Sequence, residues 1–167
     1  SKGTSMVVAP ASVVPNWRKE LARFAPSLQV YTLNDCEDRK ACLQQAGKNA
    51  VVLSSYGLLI SEQEHLVNKS WNVVCLDEAH TIKNRDTKTS ACVMQLQAQH
   101  RLILTGTPIQ NHLGELWNLF QFINPGLLGS YEHFQQKFIQ PIEQEHDKQR
   151  QLQLNRIVHP FMLRRTK

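Results

Sequence analysis

The sequence predicts an α/β protein in which helices cover both faces of a parallel sheet. Short apolar runs rich in β-branched residues alternate with segments whose apolar residues recur at helical spacing. Such alternation is typical of strand–helix–strand units, in which successive strands run parallel. The run at 73–76 is apolar throughout, as expected for a strand buried on both faces. We therefore predict one α/β unit over 1–126, followed by a helical extension.

The predicted strands are apolar runs that end at turn-forming or polar residues. They are expected at 6–9, 28–33, 50–53, 73–76 and 101–105. The helices between them are expected at 12–25, from Asp35 to Gly47, through 58–60 and at 87–97. Ser12 and Asp35 are candidate N-caps, while Pro26 and Gly47 are typical of positions where helices end.

A further helix is predicted near the end of the α/β unit. Its apolar residues recur at i, i+3, i+4, i+7 and i+10, namely Leu113, Leu116, Trp117, Phe120 and Ile123. This stripe predicts a helix face packed in the core rather than a cofactor-binding surface.

The chain beyond Gly126 has a different character. Tyr131, Phe134 and Phe138 predict a short helix, which Pro141 is expected to break. The segment 143–158 is highly polar, with few apolar residues, and this predicts a helical arm that projects from the α/β unit. We therefore predict a helical protrusion over 127–159.

Composition narrows the class of protein without deciding it. The net charge is +5 and the pI is near 9.2, a mildly basic balance that suits nucleic-acid binding but is common in other enzymes. No apolar run is close to the length of about 18 residues that would indicate a membrane-spanning helix. Cys36, Cys42, Cys75 and Cys92 form no C-x-x-C pair, so we expect reduced thiols in an intracellular compartment.

The carboxyl end of the strand at 73–76 carries the strongest candidate for chemistry. Asp77 and Glu78 follow it directly, and His80 completes the sequence Asp-Glu-Ala-His. Ligands of open α/β sheets bind beyond the carboxyl ends of strands, so these acids are expected to face a site. An Asp there can hold Mg²⁺ through water, and the adjacent Glu can polarise a water for attack on a phosphate. The alternative is a capping turn that is acidic by coincidence.

Two further loops are predicted at the same edge of the sheet. Pro10 and Ser12 precede a helix whose N-terminal amides can seat a phosphate. Ser54, Ser55 and Tyr56 follow the strand at 50–53. Their hydroxyls can contact a phosphate, or one serine can cap the next helix while the tyrosine packs, and both interpretations stay open.

A turn with two hydroxyls follows the last predicted strand. It consists of Thr105, Gly106, Thr107 and Pro108, with Gln110 shortly after it. The glycine permits a close approach of the backbone, and the threonines can bond neighbouring loops or the two carboxylates. An ordinary structural turn is the alternative.

Several motifs occur in a fixed order along the chain. They are Val-Val-Ala-Pro at 7–10, Asn-Trp at 16–17, the Asp-Glu-Ala-His sequence, Leu-Thr-Gly-Thr-Pro-Ile-Gln-Asn at 104–111, Leu-Gly-Glu-Leu-Trp at 113–117, Asn-Pro-Gly at 124–126 and Pro-Phe-Met-Leu-Arg-Arg-Thr-Lys at 160–167. Together they resemble the first motor lobe of the Swi/Snf family of helicase-like ATPases. These are DNA translocases of helicase superfamily two, and they include chromatin remodellers. The resemblance implies a three-layer, RecA-like lobe of the P-loop NTPase type at 1–126, with 160–167 leading into a second lobe.

The resemblance also implies cofactors and roles. ATP and Mg²⁺ would be the cofactors, with Asp77 holding the metal through water and Glu78 activating the attacking water. His80 would contact the γ-phosphate region or the turn at 105–108, which with Gln110 would couple nucleotide state to DNA contact. Hydrolysis would drive movement along double-stranded DNA, held mostly by its backbone. The DNA contacts would be Pro10, Ser12, Ser54, Ser55, Tyr56, Lys83 and Asn84.

One motif of this family is missing from the sequence, since no Gly-x-x-x-x-Gly-Lys-[Ser/Thr] occurs. We expect the phosphate loop and its strand just before residue 1, and a charge-compensating arginine from the second RecA-like lobe. Without that cradle the chain is expected to hydrolyse ATP negligibly by itself. The resemblance also allows a larger protein assembly as a partner. It implies an intracellular protein that does not bind a membrane, in the cytoplasm of a bacterium or the nucleus of a eukaryote.

Other classes of function stay open at this point. The chain can be a non-catalytic module that binds DNA or a protein through the same loops. A small phosphohydrolase is less favoured, because the glycines are not arranged as a phosphate loop. Two Glu-x-x-His pairs, at 62–65 and 143–146, have the spacing of di-iron sites. Such sites need four facing helices, which alternating strands and helices do not supply.

Overall fold

A five-stranded parallel sheet lies at the centre of the computed structural model, which describes residues 3–79, 87–104 and 113–161. The strands lie in the order β2-β3-β1-β4-β5. They are β1 (Ser5–Ala9), β2 (Gln29–Thr32), β3 (Ala50–Ser55), β4 (Ser70–Asp77) and β5 (Gln97–Leu104). The predicted parallel α/β architecture is confirmed, and β4 and β5 each begin a few residues before the predicted starts.

Helices of the described residues alternate with these strands and then continue alone. They are α1 (Val14–Phe24), α2 (Arg39–Gln45), α3 (Tyr56–Ser61), α4 (Gln63–Val67), α5 (Lys88–Gln95), α6 (Leu113–Ile123), α7 (Tyr131–Phe134) and α8 (Lys148–Val158). A 3-10 turn at Leu33–Asp35 follows β2, and a π-helix at Gln135–Gln144 continues α7. No helix among these residues is long and apolar enough to cross a membrane.

Alternate side chains of the strands pack into two different layers, as a sheet between helices requires. One face buries Met6, Val8, Val52, Val74 and Leu76 against helices α2 to α6. The other face buries Val7, Ala9, Val51, Leu53 and Cys75 against α1. The three-layer prediction therefore holds. At the sheet edge β5 is less well covered, and Leu102 is 54% exposed.

The predicted N-caps of the first two helices are wrong. Helix α1 begins one residue after Val13, which makes no side-chain cap bond, so Ser12 stays outside the helix. Helix α2 is capped by Asp38, whose carboxylate accepts a hydrogen bond from the Ala41 amide at 3.1 Å. Asp35 lies instead in the 3-10 turn, because the chain turns there to bury Leu33. Two aspartates close together in sequence offered no local signal to choose between them.

The helix predicted around Phe134 does not end at Pro141. It widens into the π-helix, which contains Pro141 and ends at Gln144. A proline clashes with the carbonyl one α-turn earlier, and the wider π turn relieves that crowding. The Pro141 carbonyl then accepts hydrogen bonds from the amides of Glu145 and Asp147, which closes the helix end.

Helix α6 is apolar on two sides and joins two clusters. Leu119 and Phe122 pack against the sheet. The predicted stripe is buried as expected, but it faces a second cluster made with the C-terminal helices. The members that those helices supply are Phe134, Phe138, Leu154 and Val158. The C-terminal arm is thus anchored on α6 by its few apolar residues, rather than projecting freely.

Raising the pH is expected to destabilise the fold through Cys75. Burial raises the pKa of this thiol from 9.0 to about 12, and the Asp77 carboxylate adds to the effect. The unfolded chain loses that proton near pH 9 whereas the folded chain keeps it, so stability falls as pH rises from about 9 toward 12.

Urea unfolding of the Cys75→Ala variant tests this expectation. Its decline in stability above pH 9 should be shallower than that of the unmodified chain by on the order of 1 kcal/mol per pH unit. Between pH 7 and 8 the two slopes should agree, which serves as the internal control. Identical slopes above pH 9 would contradict the assignment.

Candidate functional site

The loops at the carboxyl edge of the sheet are brought together by strand register. Ala9 at the end of β1 pairs with Ser55 at the end of β3. On the other side β1 pairs with β4, Val8 opposite Leu76. Asp77 pairs in turn with Leu104 of β5. The residues that follow β1, β3 and β4 therefore share one edge, which is where α/β sheets bind ligands.

Asp77 is held at this edge by three hydrogen bonds. Its Oδ2 accepts from the indole Nε1 of Trp17 at 2.7 Å, and its Oδ1 accepts from the Glu78 amide at 2.8 Å. Its backbone carbonyl accepts from the Tyr56 hydroxyl at 2.7 Å. A half-buried carboxylate with a donor on each oxygen has little rotational freedom, so its direction is set before any ligand arrives.

Glu78 has an unusual backbone conformation. Its φ is +51°, in the left-handed region that side chains with a Cβ rarely adopt. Such a conformation costs about 1–2 kcal/mol for an ordinary residue, and residues held in strained conformations cluster at functional sites. The turn places Glu78 directly after a fixed carboxylate, which gives two acids in neighbouring and defined positions.

The donor set of Asp77 fits a magnesium ion that is shared with a nucleotide. Mg²⁺ prefers carboxylate oxygens, and in nucleotide sites it is usually held by one or two carboxylates together with water and substrate phosphates. Among the described residues each carboxylate oxygen of Asp77 has one hydrogen-bond donor, and a carboxylate oxygen can accept a second. That leaves room for the water-mediated contact predicted from the sequence.

The residues predicted to touch DNA differ in how much of their surface is exposed. Pro10 is half-buried and Ser12 is exposed at the start of α1. Ser54 is 0% exposed and its hydroxyl donates to the Ser55 carbonyl at 2.9 Å. The Ser54 side chain is therefore enclosed and bonded locally in this structure, and its assignment as a DNA contact stays a prediction.

Ser55 and Tyr56 follow the capping interpretation that was left open. Ser55 is buried and caps α3, with its Oγ accepting from the Leu58 amide at 3.2 Å. Tyr56 is also buried, and its hydroxyl is bound to Asp77. Both hydroxyls are thus engaged inside the chain, where they support the local fold of the site.

The remaining predicted site residues lie outside the described residues. These are His80, Lys83, Asn84, Thr105, Gly106, Thr107, Pro108 and Gln110. Their assignments stay predictions.

The two Glu-x-x-His pairs are used separately in the fold. Glu62 Oε1 accepts from Arg39 at 3.1 Å, and its other oxygen lies 3.9 Å from His65 Nε2. Glu143 accepts from the Leu113 amide at 3.3 Å, at the N-terminal end of α6. One pair therefore belongs to the α3–α4 turn and the other closes a helix end, which is not the four-helix arrangement of a di-iron site.

Sequence reasoning missed Trp17 as a member of the site. The sequence analysis placed it in the helix expected at 12–25 and in the Asn-Trp motif at 16–17, and neither indicated a contact with Asp77. The acceptor of its indole N–H is 60 positions away in sequence, and no local pattern links the two. A buried indole usually finds an acceptor, so the expectation of some partner was available, but its identity was not.

Removing the Ser55 hydroxyl is expected to lower the free energy of unfolding by about 1 kcal/mol, since an N-cap is lost. Thermal or urea unfolding of Ser55→Ala measures the change. Ser12→Ala is the matched control, because Ser12 is exposed and outside the helix, and its effect should stay within about 0.5 kcal/mol. Equal effects of the two variants would contradict the cap.

The comparison with protein families decides the affiliation. The family model described as the SNF2-related domain matches residues 2–167. The chain belongs to the SNF2-related domain family. The sequence resemblance is thereby confirmed over nearly the whole SNF2-related chain.

Curated relatives come from several kingdoms. YwqA of Bacillus subtilis, named as a candidate ATP-dependent helicase/translocase, is 42% identical over 99% of the SNF2-related chain and 18% of its own length. The TATA-binding protein-associated factor mot1 of Schizosaccharomyces pombe is 40% identical over 98% of the chain and 9% of its own. The ISWI chromatin-remodeling complex ATPase CHR17 of Arabidopsis thaliana is 39% identical over 99% of the chain and 16% of its own length. The chain spans less than a fifth of the length of these relatives.

Solved structures agree with the fold. The Sulfolobus solfataricus SWI2/SNF2 ATPase core in complex with dsDNA is 40% identical, with a TM-score of 0.87 over 98% of the SNF2-related chain and 34% of that protein. A second structure, of the Sulfolobus solfataricus SWI2/SNF2 ATPase core domain, is also 40% identical and gives a TM-score of 0.79 over 98% of the chain and 33% of that protein. The three-layer parallel sheet is therefore RecA-like, as in these ATPase cores.

Proposed function

We propose that this chain is part of an ATP-dependent translocase of double-stranded DNA, in which hydrolysis of Mg-ATP drives movement along the duplex. The observation that carries the proposal is the Asp77 carboxylate, held between Trp17 and the Glu78 amide at the ligand-binding edge of the sheet. The family supports it, since relatives are named as helicase, translocase and chromatin-remodelling ATPases.

The two acids have different roles in this proposal. Asp77 holds Mg²⁺ through water, and Glu78 accepts a proton from, or polarises, the water that attacks the γ-phosphate. When bound, Mg²⁺ neutralises charge that develops on the phosphates. His80 and the turn at 105–108, with Gln110, carry the state of the nucleotide to the DNA-facing loops.

Catalysis by this chain requires groups from outside its sequence. A phosphate cradle of backbone amides and a lysine is needed, and the sequence contains no motif for one. A second RecA-like lobe would supply the arginine that stabilises the transition state. We therefore propose that the polypeptide assayed alone turns over ATP negligibly, and that it acts within a longer protein.

The DNA-binding surface in this proposal begins with the loop at 10–12, where Ser12 is exposed at the N-terminal side of α1. Helix N-termini attract phosphate oxygens. Lys83 and Asn84 are further contacts. Such backbone contacts predict little dependence on base sequence and a strong dependence on salt. A related ATPase core has been solved with dsDNA, which supports a duplex as the partner.

A protein that moves along chromosomal DNA would be located in the cytoplasm of a bacterium or the nucleus of a eukaryote.

Mg²⁺-dependent ATP hydrolysis, measured with no DNA, single-stranded DNA and duplex DNA, tests the proposal. The sample is a protein that carries this chain together with a phosphate loop and a second lobe, with the chain alone beside it. Duplex-stimulated turnover of the longer protein is expected. Salt-sensitive duplex binding without hydrolysis or any response to nucleotide would favour the non-catalytic binding module instead.

A further inference from the structure

Trp17 connects the predicted DNA-facing loop to the carboxylate of Asp77. The Pro10 carbonyl accepts from the Val13 amide at 2.8 Å and the Val14 amide at 3.2 Å, which joins the loop at 10–12 to the first turn of α1. The Trp17 amide donates to the Val13 carbonyl at 3.2 Å. One turn of helix therefore separates the loop from the indole that donates to Asp77.

The contact between Trp17 and Asp77 is short and directional. The Nε1–Oδ2 distance is 2.7 Å, which is typical of a hydrogen bond to a charged acceptor. An indole has one N–H donor and no acceptor, so it can engage the carboxylate in only one way. The ring itself packs against the cluster between α1 and the sheet, which fixes the direction of the N–H.

We propose that Trp17 is a positioning residue for Asp77, and that it transmits a displacement of the loop at 10–12 to the metal-binding carboxylate. This inference rests on the proposed function of Asp77 as a magnesium ligand. A donor that hydrogen-bonds a metal-binding side chain fixes the direction in which that side chain faces the metal. A duplex that shifts the loop also shifts α1, and the indole N–H then redirects Oδ2 relative to the nucleotide. DNA binding would thereby adjust the geometry of the metal site.

The Trp17→Phe variant separates positioning from packing. Phenylalanine keeps a six-membered aromatic ring in the α1 cluster and removes the N–H donor together with the five-membered ring of the indole. Trp117→Phe is the matched control, since Trp117 Nε1 also donates one hydrogen bond, to the Gly129 carbonyl at 3.1 Å, in the cluster formed with the C-terminal helices. Both variants lose an indole donor, but only one of these donors touches the site.

Binding of Mn²⁺ in place of Mg²⁺, in the presence of ATP, is the first readout. It is measured by water-proton relaxation on the longer protein that carries the chain. Trp17→Phe is expected to weaken Mn²⁺ binding about 10-fold, the lower end of the loss in affinity when a metal-holding side chain loses its hydrogen-bond partner. Asp77→Asn should weaken it at least as much. Trp117→Phe should bind Mn²⁺ as the unmodified protein does.

The stimulation of turnover by duplex DNA is the second readout. Trp17→Phe is expected to reduce the ratio of duplex-stimulated to unstimulated kcat several-fold, whereas Trp117→Phe leaves that ratio unchanged. Equal Mn²⁺ affinity and equal stimulation in the two phenylalanine variants would overturn the inference.

The two proposals fail in different ways. The proposed function would be contradicted if the unmodified protein did not hydrolyse ATP and the Asp77→Asn variant bound Mn²⁺ as tightly as the unmodified protein. An unmodified protein that is active, and that depends on Asp77 but not on the Trp17 donor, would contradict the positioning role alone. Circular dichroism and a melting curve on each variant establish that the comparison is made between folded proteins.

Discussion

Replacing Glu78 with glutamine is expected to lower kcat for ATP hydrolysis by about 10²- to 10⁴-fold, the usual contribution of a general base. Glutamine has nearly the same size and shape, but its amide cannot accept the proton of the attacking water. The φ of +51° is imposed by the turn after β4 and applies to both residues, so the fold should be retained. Turnover at saturating ATP and duplex, in the longer protein that carries the chain, measures the effect.

Glu64→Gln is the control for the charge change. Glu64 is exposed on α4, away from the carboxyl edge of the sheet. The kcat of Glu64→Gln should therefore equal that of the unmodified protein. ATP binding should survive in Glu78→Gln, because the predicted defect is in the chemical step. Retention of half or more of the kcat in Glu78→Gln would remove Glu78 from the proposed mechanism.

Truncating Phe134 is expected to cost about 3–5 kcal/mol of unfolding free energy, the usual range for a buried phenylalanine changed to alanine. Phe134 is 0% exposed, and the centroid of its ring lies 5.4 Å from the ring centroid of Phe138. It belongs to the cluster that holds the C-terminal helices on α6. The loss should therefore appear first as protease cleavage within 131–158, with the sheet still folded.

Two other phenylalanines make this prediction specific. Phe122 is equally buried but packs against the sheet, so Phe122→Ala should destabilise the whole α/β unit rather than the C-terminal helices first. Phe24 is 70% exposed, and Phe24→Ala should change stability by no more than about 0.5 kcal/mol. An identical cleavage pattern for Phe134→Ala and Phe122→Ala would mean that the two clusters unfold as one unit.

The sheet and its site edge could be predicted because their signals are local. Strand β3 contains the continuous apolar run 50–53, and the acids Asp77 and Glu78 mark the end of β4 directly in the sequence. The motif order then indicated the family. Every strand of the described sheet overlaps a segment that was predicted as a strand, and Asp77 lies at the predicted edge.

The failures concern contacts between residues that are distant in sequence or nearly equivalent in it. Asp38 rather than Asp35 caps α2, since Asp35 lies in the 3-10 turn that begins at the buried Leu33. The burial of Ser54, which pairs with Val8 of β1, follows from the register of β3 against β1 and had no local signal. The bond from Trp17 to Asp77 depends on how α1 packs over the sheet. None of these follows from periodicity or capping rules alone.

Movement along duplex DNA is the property that tests the account most directly. A labelled third strand bound to a duplex is displaced when a translocase passes, and its release can be followed in time. The longer protein that carries this chain is expected to release it only with ATP and Mg²⁺, from duplexes of unrelated sequence, and not when Glu78 is glutamine. Release without ATP, or no release despite duplex-stimulated hydrolysis, would contradict a motor in which Asp77 and Glu78 drive translocation.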